Sequence, residues 1–353
     1  STFARLEEPI RADGRHDGSV PTAAAIPKLS ILDLAIIGPG ETAADACANS
    51  VALARRAEAR GYERVWSAEH PNMSVIASSA PSVLVAHIAA HTSTIRLGAG
   101  GVMLPNHSPL TIAEQYGTLA TLHPGRIDLG LGRAPGSDQT TWRAMRRDPA
   151  ASDRFPDDVL ELQGYLQGRS RVAGVNAVPG AGTNVPLYIL GSSLFGARLA
   201  AMLGLPYAFA SHFAPGALLQ AIELYRTEFQ PSEQLDQPYA IAGVNVIASE
   251  TADDAQRQFE LVHRQRIARF LARDRELTDD EIDALVDSPQ GRQVAQMMHY
   301  TAVGTAPEVA AYLTQFAEQV GVDEVITAHA SPTIDERLRS VDLVADALDP
   351  VTV

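Results

Sequence analysis

Short apolar runs alternate with longer amphipathic segments along most of the 353-residue chain. Continuous apolar runs separated by helical segments indicate parallel strands that are covered on both faces. We predict strands at Leu29–Ile37, Arg64–Ala68, Thr94–Leu97, Ile127–Leu131, Leu187–Leu190, Tyr207–Ala210, Ala240–Ala248 and Glu324–Ala328. Eight regular units favour a closed (β/α)8 barrel over an open doubly wound sheet, so the sequence predicts an α/β fold of the TIM-barrel class.

Amphipathic segments with start and stop signals supply the helices of this pattern. Ser108 or Pro109 opens one helix, and Pro124-Gly125 ends it before the fourth strand. The other helices are expected at Ala43–Arg60, Ser82–His91, Phe195–Leu203, Pro215–Phe229, Ala252–Asp274, Pro307–Val320 and Ile334–Leu348. We predict one barrel domain over residues 29–348, preceded by a polar arm at residues 1–28.

Two segments exceed the βα loop length of about 2–6 residues. Ala134–Val185 follows the fourth strand and contains a predicted helix near Asp157–Leu166. Arg275–Gln296, which is rich in acidic residues, lies beyond the seventh strand. Long insertions are usually functional lids or disordered segments, and a solvated acidic hairpin is the alternative for the second one. The predicted barrel therefore has long insertions after strands 4 and 7.

The composition limits the partners and the compartment. Hydrophobic residues make up 46% of the chain, and the net charge of −14 argues against nucleic acid or an anionic membrane as a partner. No stretch approaches the roughly 18 apolar residues of a transmembrane helix, and residues 1–28 lack a secretory apolar region. Cys47 is the single cysteine, which excludes an intramolecular disulfide and a cysteine-cluster metal site. We expect a cytoplasmic protein.

Two features at the ends of predicted strands suit an anionic ligand. Arg133 closes the fourth strand, where a guanidinium can fork onto a phosphate; a salt bridge to Asp128 or Asp138 is the alternative. Gly191-Ser192-Ser193 lies between the fifth strand and the next helix. Hydroxyl and free N–H groups at a helix N-terminus bind anions, although plain N-capping by either serine would use the same groups.

The ends of two further predicted strands carry residues that are candidates for a functional role. Glu69-His70 ends the second strand, where an imidazole can act as a base near neutral pH and a neighbouring carboxylate can hold its tautomer. A packed, hydrogen-bonded histidine is the alternative. Gly98, Gly100 and Gly101 follow the third strand and allow the backbone to approach a ligand closely.

Several blocks of the sequence resemble the bacterial luciferase-like flavin-dependent monooxygenases, in their single-component bacterial branch. The most informative block is Thr94–Gly136, in which two glycine-tipped strands flank one helix. Further matches are Glu63–His70, Leu187–Ser193 and Gly204–His212, with a weaker one at Val303–Glu308. Together the blocks cover the chain from Leu29 to about Ala347, in the order of the family.

The resemblance implies an FMN-dependent monooxygenase, in which reduced FMN and O₂ oxygenate a small organic substrate through a flavin C4a-peroxide. It places His70 beside the reactive flavin position as the catalytic residue, and it places a strained, often cis, peptide under the flavin ring. The cofactor-binding residues that it implies are Gly100, Gly101, Arg133, Gly191, Ser192 and Ser193. The acidic segment would be a mobile lid, and the protein a homodimer.

The residues also depart from the family in places. Ser192 and Gly196 stand where relatives have an acidic residue and a threonine, so phosphate contact would depend more on the backbone. Pro71 replaces a frequent second histidine, and Gly132 replaces the reactive cysteine of luciferases, which argues against bioluminescence. No Gly-x-Gly-x-x-Gly nicotinamide fingerprint follows a strand, so we expect a separate flavin reductase to supply reduced FMN.

Three other functions fit parts of the sequence. One is a coenzyme F420-dependent oxidoreductase of the same superfamily, and another is a non-catalytic flavin-binding protein. A metal-dependent barrel hydrolase would have to use Glu69, His70, His212 and His329. Such hydrolases often take paired ligands from one strand, as in His-x-His, and the sequence has no such pair. We therefore expect no metal site.

Overall fold

The computed structural model describes residues 27–134, 138–272, 275 and 277–348. Within them, nine strands form one parallel sheet. The strands are β1 (Lys28–Asp33), β2 (Arg64–Ser67), β3 (Arg96–Met103), β4 (Ile127–Gly132), β5 (Leu187–Gly191), β6 (Tyr207–Phe209), β7 (Ala240–Ser249), β8 (Thr301–Thr305) and β9 (Glu324–His329). The helices are α1 (Ala43–Ala59), α2 (Pro81–Ala89), α3 (Pro109–Leu122), α4 (Gln139–Ala144), α5 (Phe155–Leu166), α6 (Leu194–Leu203), α7 (Leu218–Glu228), α8 (Ala252–Ala272), α9 (Asp279–Val286), α10 (Pro289–Gln296), α11 (Ala306–Val320) and α12 (Ile334–Leu348).

Strands β1 to β7 pair in sequence order, and β9 joins β7 to β1, so that the sheet closes on itself. Because β8 stands outside this ring, eight strands form the barrel, and the predicted (β/α)8 class is confirmed. The additional strand β8 was not predicted. It exists because β7 is ten residues long: Ile241–Val246 pairs with β9, whereas Asn245–Ser249 pairs with β8.

The structure corrects several predicted element bounds. Strand β1 ends at Asp33 and not at Ile37, and β3 continues through its glycines to Met103 instead of ending at Leu97. A side chain at Gly98 would not fit, because its Cβ atom would lie 2.5 Å from the carbonyl oxygen of Asp128 in β4. The glycines therefore let two strands approach each other inside the sheet, where the register also shifts between Ala99 and Val102.

Both predicted insertions have helical structure. The insertion after β4 contains α4, a 3-10 helix at Pro149–Arg154 and the expected helix α5. The acidic stretch before β8 forms the two short helices α9 and α10, which were not predicted because their apolar positions are few. The polar arm at residues 1–28 lies almost wholly outside the described residues, as do Gly136 and Asp274.

Apolar side chains inside the barrel form a cluster separate from the larger core between sheet and helices. Trp66 and Tyr188 lie at its centre, with their ring centroids 4.9 Å apart and their planes at 72°. The other buried members are Leu32, Ala68, Ala208, Ile241 and Ile326. The two aromatic rings fill the middle of the barrel and form a floor below the carboxyl ends of the strands.

A buried ionic network occupies the amino-terminal end of the barrel. Arg64 donates two hydrogen bonds to Glu324, at 2.9 and 3.1 Å, and another to Asp128 at 2.7 Å. Arg96 also pairs with Asp128, and Tyr239 donates to Glu324 at 2.6 Å. Asp128 therefore serves the fold through Arg64 and Arg96, and it does not form the alternative salt bridge with Arg133.

Candidate functional site

The carboxyl ends of the barrel strands bring the predicted site residues to one end of the molecule. His70 follows β2, Arg133 follows β4, and Gly191-Ser192-Ser193 leads from β5 into α6. His212 follows β6, which lies opposite β2 in the ring. Residues distant in sequence therefore share the barrel mouth, where TIM-barrel enzymes carry their active sites.

Small residues line the mouth above the Trp66–Tyr188 floor. A Cβ atom at Gly100 would lie 2.9 Å from Cβ of Trp66, and one at Gly130 would lie 2.4 Å from the carbonyl oxygen of Ala99. The peptide between Gly100 and Gly101 is cis, as the family resemblance implies. The glycines therefore let the backbone of β3 pack closely against Trp66 and against the backbone of β4.

Arg133 and the start of α6 form a candidate anion site. The guanidinium carbon of Arg133 lies 4.2 Å from the centroid of the Phe195 ring in the first turn of α6. No carboxylate pairs with Arg133 in the described part of the chain. Ser193 is the N-cap of α6 but makes no side-chain capping bond, so the plain capping alternative is not observed. The hydroxyls and N–H groups there are available to an anion.

Ser192 opens into a cleft of about 550 Å³. One wall comes from the loop at residues 213–217, and the opposite wall comes from Gln293, Gln296 and Met297 at the end of α10. The second insertion therefore reaches the same cleft as the candidate anion site. This placement agrees with the expected position of a lid, whose mobility stays a prediction.

Glu69 does not orient His70, contrary to the interpretation from the sequence. Its buried carboxylate accepts hydrogen bonds from the backbone N–H of Met103 at 2.9 Å and from Asn106 at 3.4 Å, and it bonds with Nε2 of His107 at 2.9 Å. All these partners lie at or just beyond the end of β3. Glu69 thus fixes the chain that leaves the Gly100–Gly101 peptide.

His70 is half-buried, and its solvent-inaccessible Nδ1 atom has no hydrogen-bond partner among the described residues. Burial lowers the pKa of His70 below its ordinary value, although the charge of Glu69 opposes this effect. The imidazole is therefore neutral at pH 7 and can accept a proton, with a pKa lower than the expected value near neutrality. Its backbone N–H donates to the carbonyl of Ser78 at 2.9 Å, which anchors the segment.

The other two candidate histidines differ in location. His212 packs against the backbone of Gly243, where a Cβ atom would lie 2.4 Å from its Nδ1. His212 follows β6 at the carboxyl ends of the strands, burial lowers its pKa to about 4, and the charges of Arg266 and His70 add to this effect. His329 instead bonds through Nδ1 to Ser340 of α12 at 2.8 Å. It lies between barrel and helix, and it cannot join a metal set with the others.

Two polar groups near the mouth were not anticipated. Tyr116 of α3 has a buried hydroxyl with no hydrogen-bond partner among the described residues, and burial together with the charge of Glu69 raises its pKa. The Nη1 atom of Arg266 in α8 is also buried and has no hydrogen-bond partner among the described residues. Neither could be recognised from the sequence, because a tyrosine or an arginine in an amphipathic helix usually packs or faces solvent.

Two structural features are absent from the described residues. No group of three or more His, Cys, Asp or Glu side chains there is arranged to hold a metal ion. In the same residues, no helix is long and apolar enough to cross a membrane.

Comparison with known proteins now identifies the family. The family model described as luciferase-like monooxygenase matches residues 28–324. The chain belongs to the luciferase-like monooxygenase family. A luciferase-like monooxygenase of Escherichia coli (strain K12) is 46% identical over 320 residues, which cover 90% of this chain and 96% of the relative. This luciferase-like protein is thus an oxidoreductase of the monooxygenase type, as the resemblance implied.

Solved structures agree with the fold. Apo-MsnO8 has a TM-score of 0.83 and 36% identity, covering 92% of this luciferase-like chain and 98% of its own. The oxygenating constituent of 3,6-diketocamphane monooxygenase from Pseudomonas putida, solved in complex with FMN, has a TM-score of 0.68 and covers 93% and 99% of the two chains. At 17% identity, this second likeness shows the fold alone.

Proposed function

We propose that this protein is a monooxygenase that uses reduced FMN and O₂ to oxygenate a small organic substrate. A separate flavin reductase would supply the reduced FMN, and the working unit would be a homodimer. The observation that carries the proposal is Arg133, whose guanidinium has no carboxylate partner among the described residues and lies against the first turn of α6, where Ser192 and Ser193 precede the helix. Such a site suits the single terminal phosphate of FMN.

The residues at the barrel mouth fit the whole of FMN. Arg133, Gly191, Ser192 and Ser193 would hold the phosphate, with help from the positive end of the α6 dipole. The bare backbone at Gly100 and Gly101 would accept the flat ring above the Trp66–Tyr188 floor. The cofactor complex of the Pseudomonas putida protein supports this use of the fold.

When bound, reduced FMN supplies the electrons that activate O₂ for transfer of one oxygen atom to the substrate. The residues of this chain orient the reactants and exclude water. Burial keeps His70 neutral at pH 7, so that Nδ1, which has no partner among the described residues, can accept a proton from substrate. The α10 wall of the cleft would limit the entry of water beside Ser192.

The first test is the ligand preference of the purified protein. Titrations with FMN, riboflavin, FAD and coenzyme F420 should show that FMN binds most tightly, because riboflavin lacks the phosphate. Arg133→Ala should weaken FMN binding about 10- to 150-fold, the usual worth of a hydrogen bond to a charged group, and should leave riboflavin nearly unchanged. Tighter binding of F420 than of FMN would favour the hydride-transfer alternative.

Arg198→Ala provides a matched control for the titration. Arg198 lies on the same helix α6, but its exposed side chain pairs with Glu228 at 3.3 Å. This control should bind FMN like the parent protein. O₂ uptake with NADH and an added flavin reductase, followed by mass spectrometry of oxygenated products, then separates a monooxygenase from a non-catalytic flavin-binding protein.

A further inference from the structure

Arg266 is half-buried, and no acidic side chain among the described residues neutralises its charge. Its Nη1 atom is inaccessible to solvent and has no hydrogen-bond partner in that part of the chain. Burial and the nearby charge of Arg269 lower its pKa from the ordinary value. An uncompensated buried charge costs free energy of folding, so its presence calls for a reason other than stability.

Carboxylates lie within reach of α8, since other arginines of this helix form ion pairs with them. Arg257 pairs with Asp254 at 2.7 Å and with Glu336 at 3.0 Å, and Arg264 pairs with Asp283 of α9. The whole chain contains 42 Asp and Glu residues against 28 Lys and Arg residues. In so acidic a protein, a shortage of acids does not explain why Arg266 has no carboxylate partner among the described residues.

The groups around Arg266 are basic or neutral. Arg269 and His263 lie one helical turn away on either side, and the charge of Arg266 lowers the pKa of both His263 and His212. His212 also responds to His70, across the ring from β6 to β2. His212 packs against Gly243 of β7, and because the charges of His70 and Arg266 both act on it, these two groups lie near His212. Each has a buried nitrogen without a partner in the described structure.

We propose that Arg266 is a substrate-binding residue and that the substrate of this enzyme carries an oxyanion, a carboxylate or a sulfonate. The anion would pair with the Arg266 guanidinium and accept a hydrogen bond from His212. The apolar part of the substrate would then lie toward His70 and the flavin ring. This inference rests on the proposed function for the position of the flavin, but the charge requirement concerns α8 and β6 and not the phosphate site at Arg133.

The experiment compares anionic and neutral probes of equal chain length by isothermal titration calorimetry. The probes are octanoate, octane-1-sulfonate and 1-octanol, added to the protein saturated with oxidised FMN. The anions should bind at least about tenfold more tightly than 1-octanol, and Arg266→Met should weaken octanoate binding about 10- to 150-fold. The same substitution should leave the affinity for 1-octanol within about twofold.

Two further variants sharpen the result. Arg266→Lys keeps the positive charge but loses the planar guanidinium, which can donate two parallel hydrogen bonds. It should retain part of the preference for octanoate. Arg257→Met removes an arginine from the same helix whose charge is already paired, and it should bind every probe as the parent does. Octanoate and octane-1-sulfonate that bind no more tightly than 1-octanol, or an Arg266→Met variant with unchanged octanoate affinity, would overturn the proposal.

Thermal unfolding separates a binding role from a structural one. Without ligand, Arg266→Met should be at least as stable as the parent, because it removes a half-buried charge that has no carboxylate partner among the described residues. A clear loss of stability would indicate that Arg266 supports the fold, and it would count against the proposal.

The ratio of FMN to riboflavin affinity should not change in Arg266→Met. If that ratio collapses, Arg266 binds the cofactor phosphate instead; if the parent binds no FMN, the proposed function itself fails.

Discussion

The guanidinium of Arg133 lies over the ring of Phe195, with 4.2 Å between its carbon and the ring centroid. The ring holds the arginine against the first turn of α6 without neutralising its charge. A cation–π contact at an exposed site contributes about 0.5–1 kcal/mol. Phe195→Leu should therefore weaken FMN binding only about two- to fivefold, less than Arg133→Ala. Fluorescence titration measures both, and an equal loss in the two variants would show that the ring contacts the cofactor itself.

His70→Ala tests the assignment of the proton acceptor. Removal of a general base commonly costs about 10²–10⁴-fold in rate. Substrate oxygenation should fall by that range while FMN binding changes less than about threefold, because the proposed phosphate-binding residues lie elsewhere. Peroxide release per NADH should rise, as measured with a peroxide assay beside product formation. Loss of FMN binding in this variant would show that His70 is a packing residue.

Burial of His329 predicts a loss of stability in acid. Burial lowers the pKa of this imidazole to about 3, against about 6.5 in the unfolded chain. The unfolded state therefore binds more protons below pH 6.5, and the folded state loses about 2 kcal/mol between pH 7 and pH 5 through this residue. Urea unfolding measures this loss. Between pH 7 and pH 5, the free energy of unfolding of His329→Asn should fall by about 2 kcal/mol less than that of the parent protein. An identical drop in both proteins would contradict the buried, neutral state.

The lid expectation can be checked by limited trypsin digestion. Arg275 and Arg292 flank α9 in the second insertion, and α10 forms a wall of the cleft beside Ser192. Saturating FMN should slow cleavage after Arg275 and Arg292 several-fold, because local opening would then compete with binding. Cleavage after the exposed Arg169 serves as the internal control. Equal protection at all three sites, or none, would contradict a lid.

The network at the amino-terminal end of the barrel should contribute mainly to stability. Glu324 is fully buried and accepts hydrogen bonds from Arg64 and Tyr239. Glu324→Gln leaves the Arg64 charge partly unpaired and should lower the free energy of unfolding by about 3–5 kcal/mol. The exposed pair Arg339–Glu250 is the control, and Arg339→Gln should cost at most about 1 kcal/mol. If urea unfolding shows similar losses of stability for Glu324→Gln and Arg339→Gln, this ranking is wrong.

The sequence by itself determined the barrel and the place of the candidate anion site. Eight apolar runs with amphipathic segments between them specify parallel strands covered by helices, because only that arrangement buries both faces. Arg133 and the serines at 192 and 193 could be recognised because they follow strands directly. Chain connectivity therefore places them at the carboxyl ends of the strands, whatever the details of packing.

Only the tertiary structure decided the partners of the buried polar groups. Glu69 bonds to the chain that leaves β3 and not to its neighbour His70, although both residues lie just after the end of β2. Alternation of side chains along β9 turns His329 toward α12 instead of the mouth. Arg266 stands in an amphipathic helix like any surface arginine, and its lack of a carboxylate partner within the described chain depends on how α8 packs over β7 and β8. Contacts between residues far apart in sequence have no local signal, since they arise from the closure of the barrel.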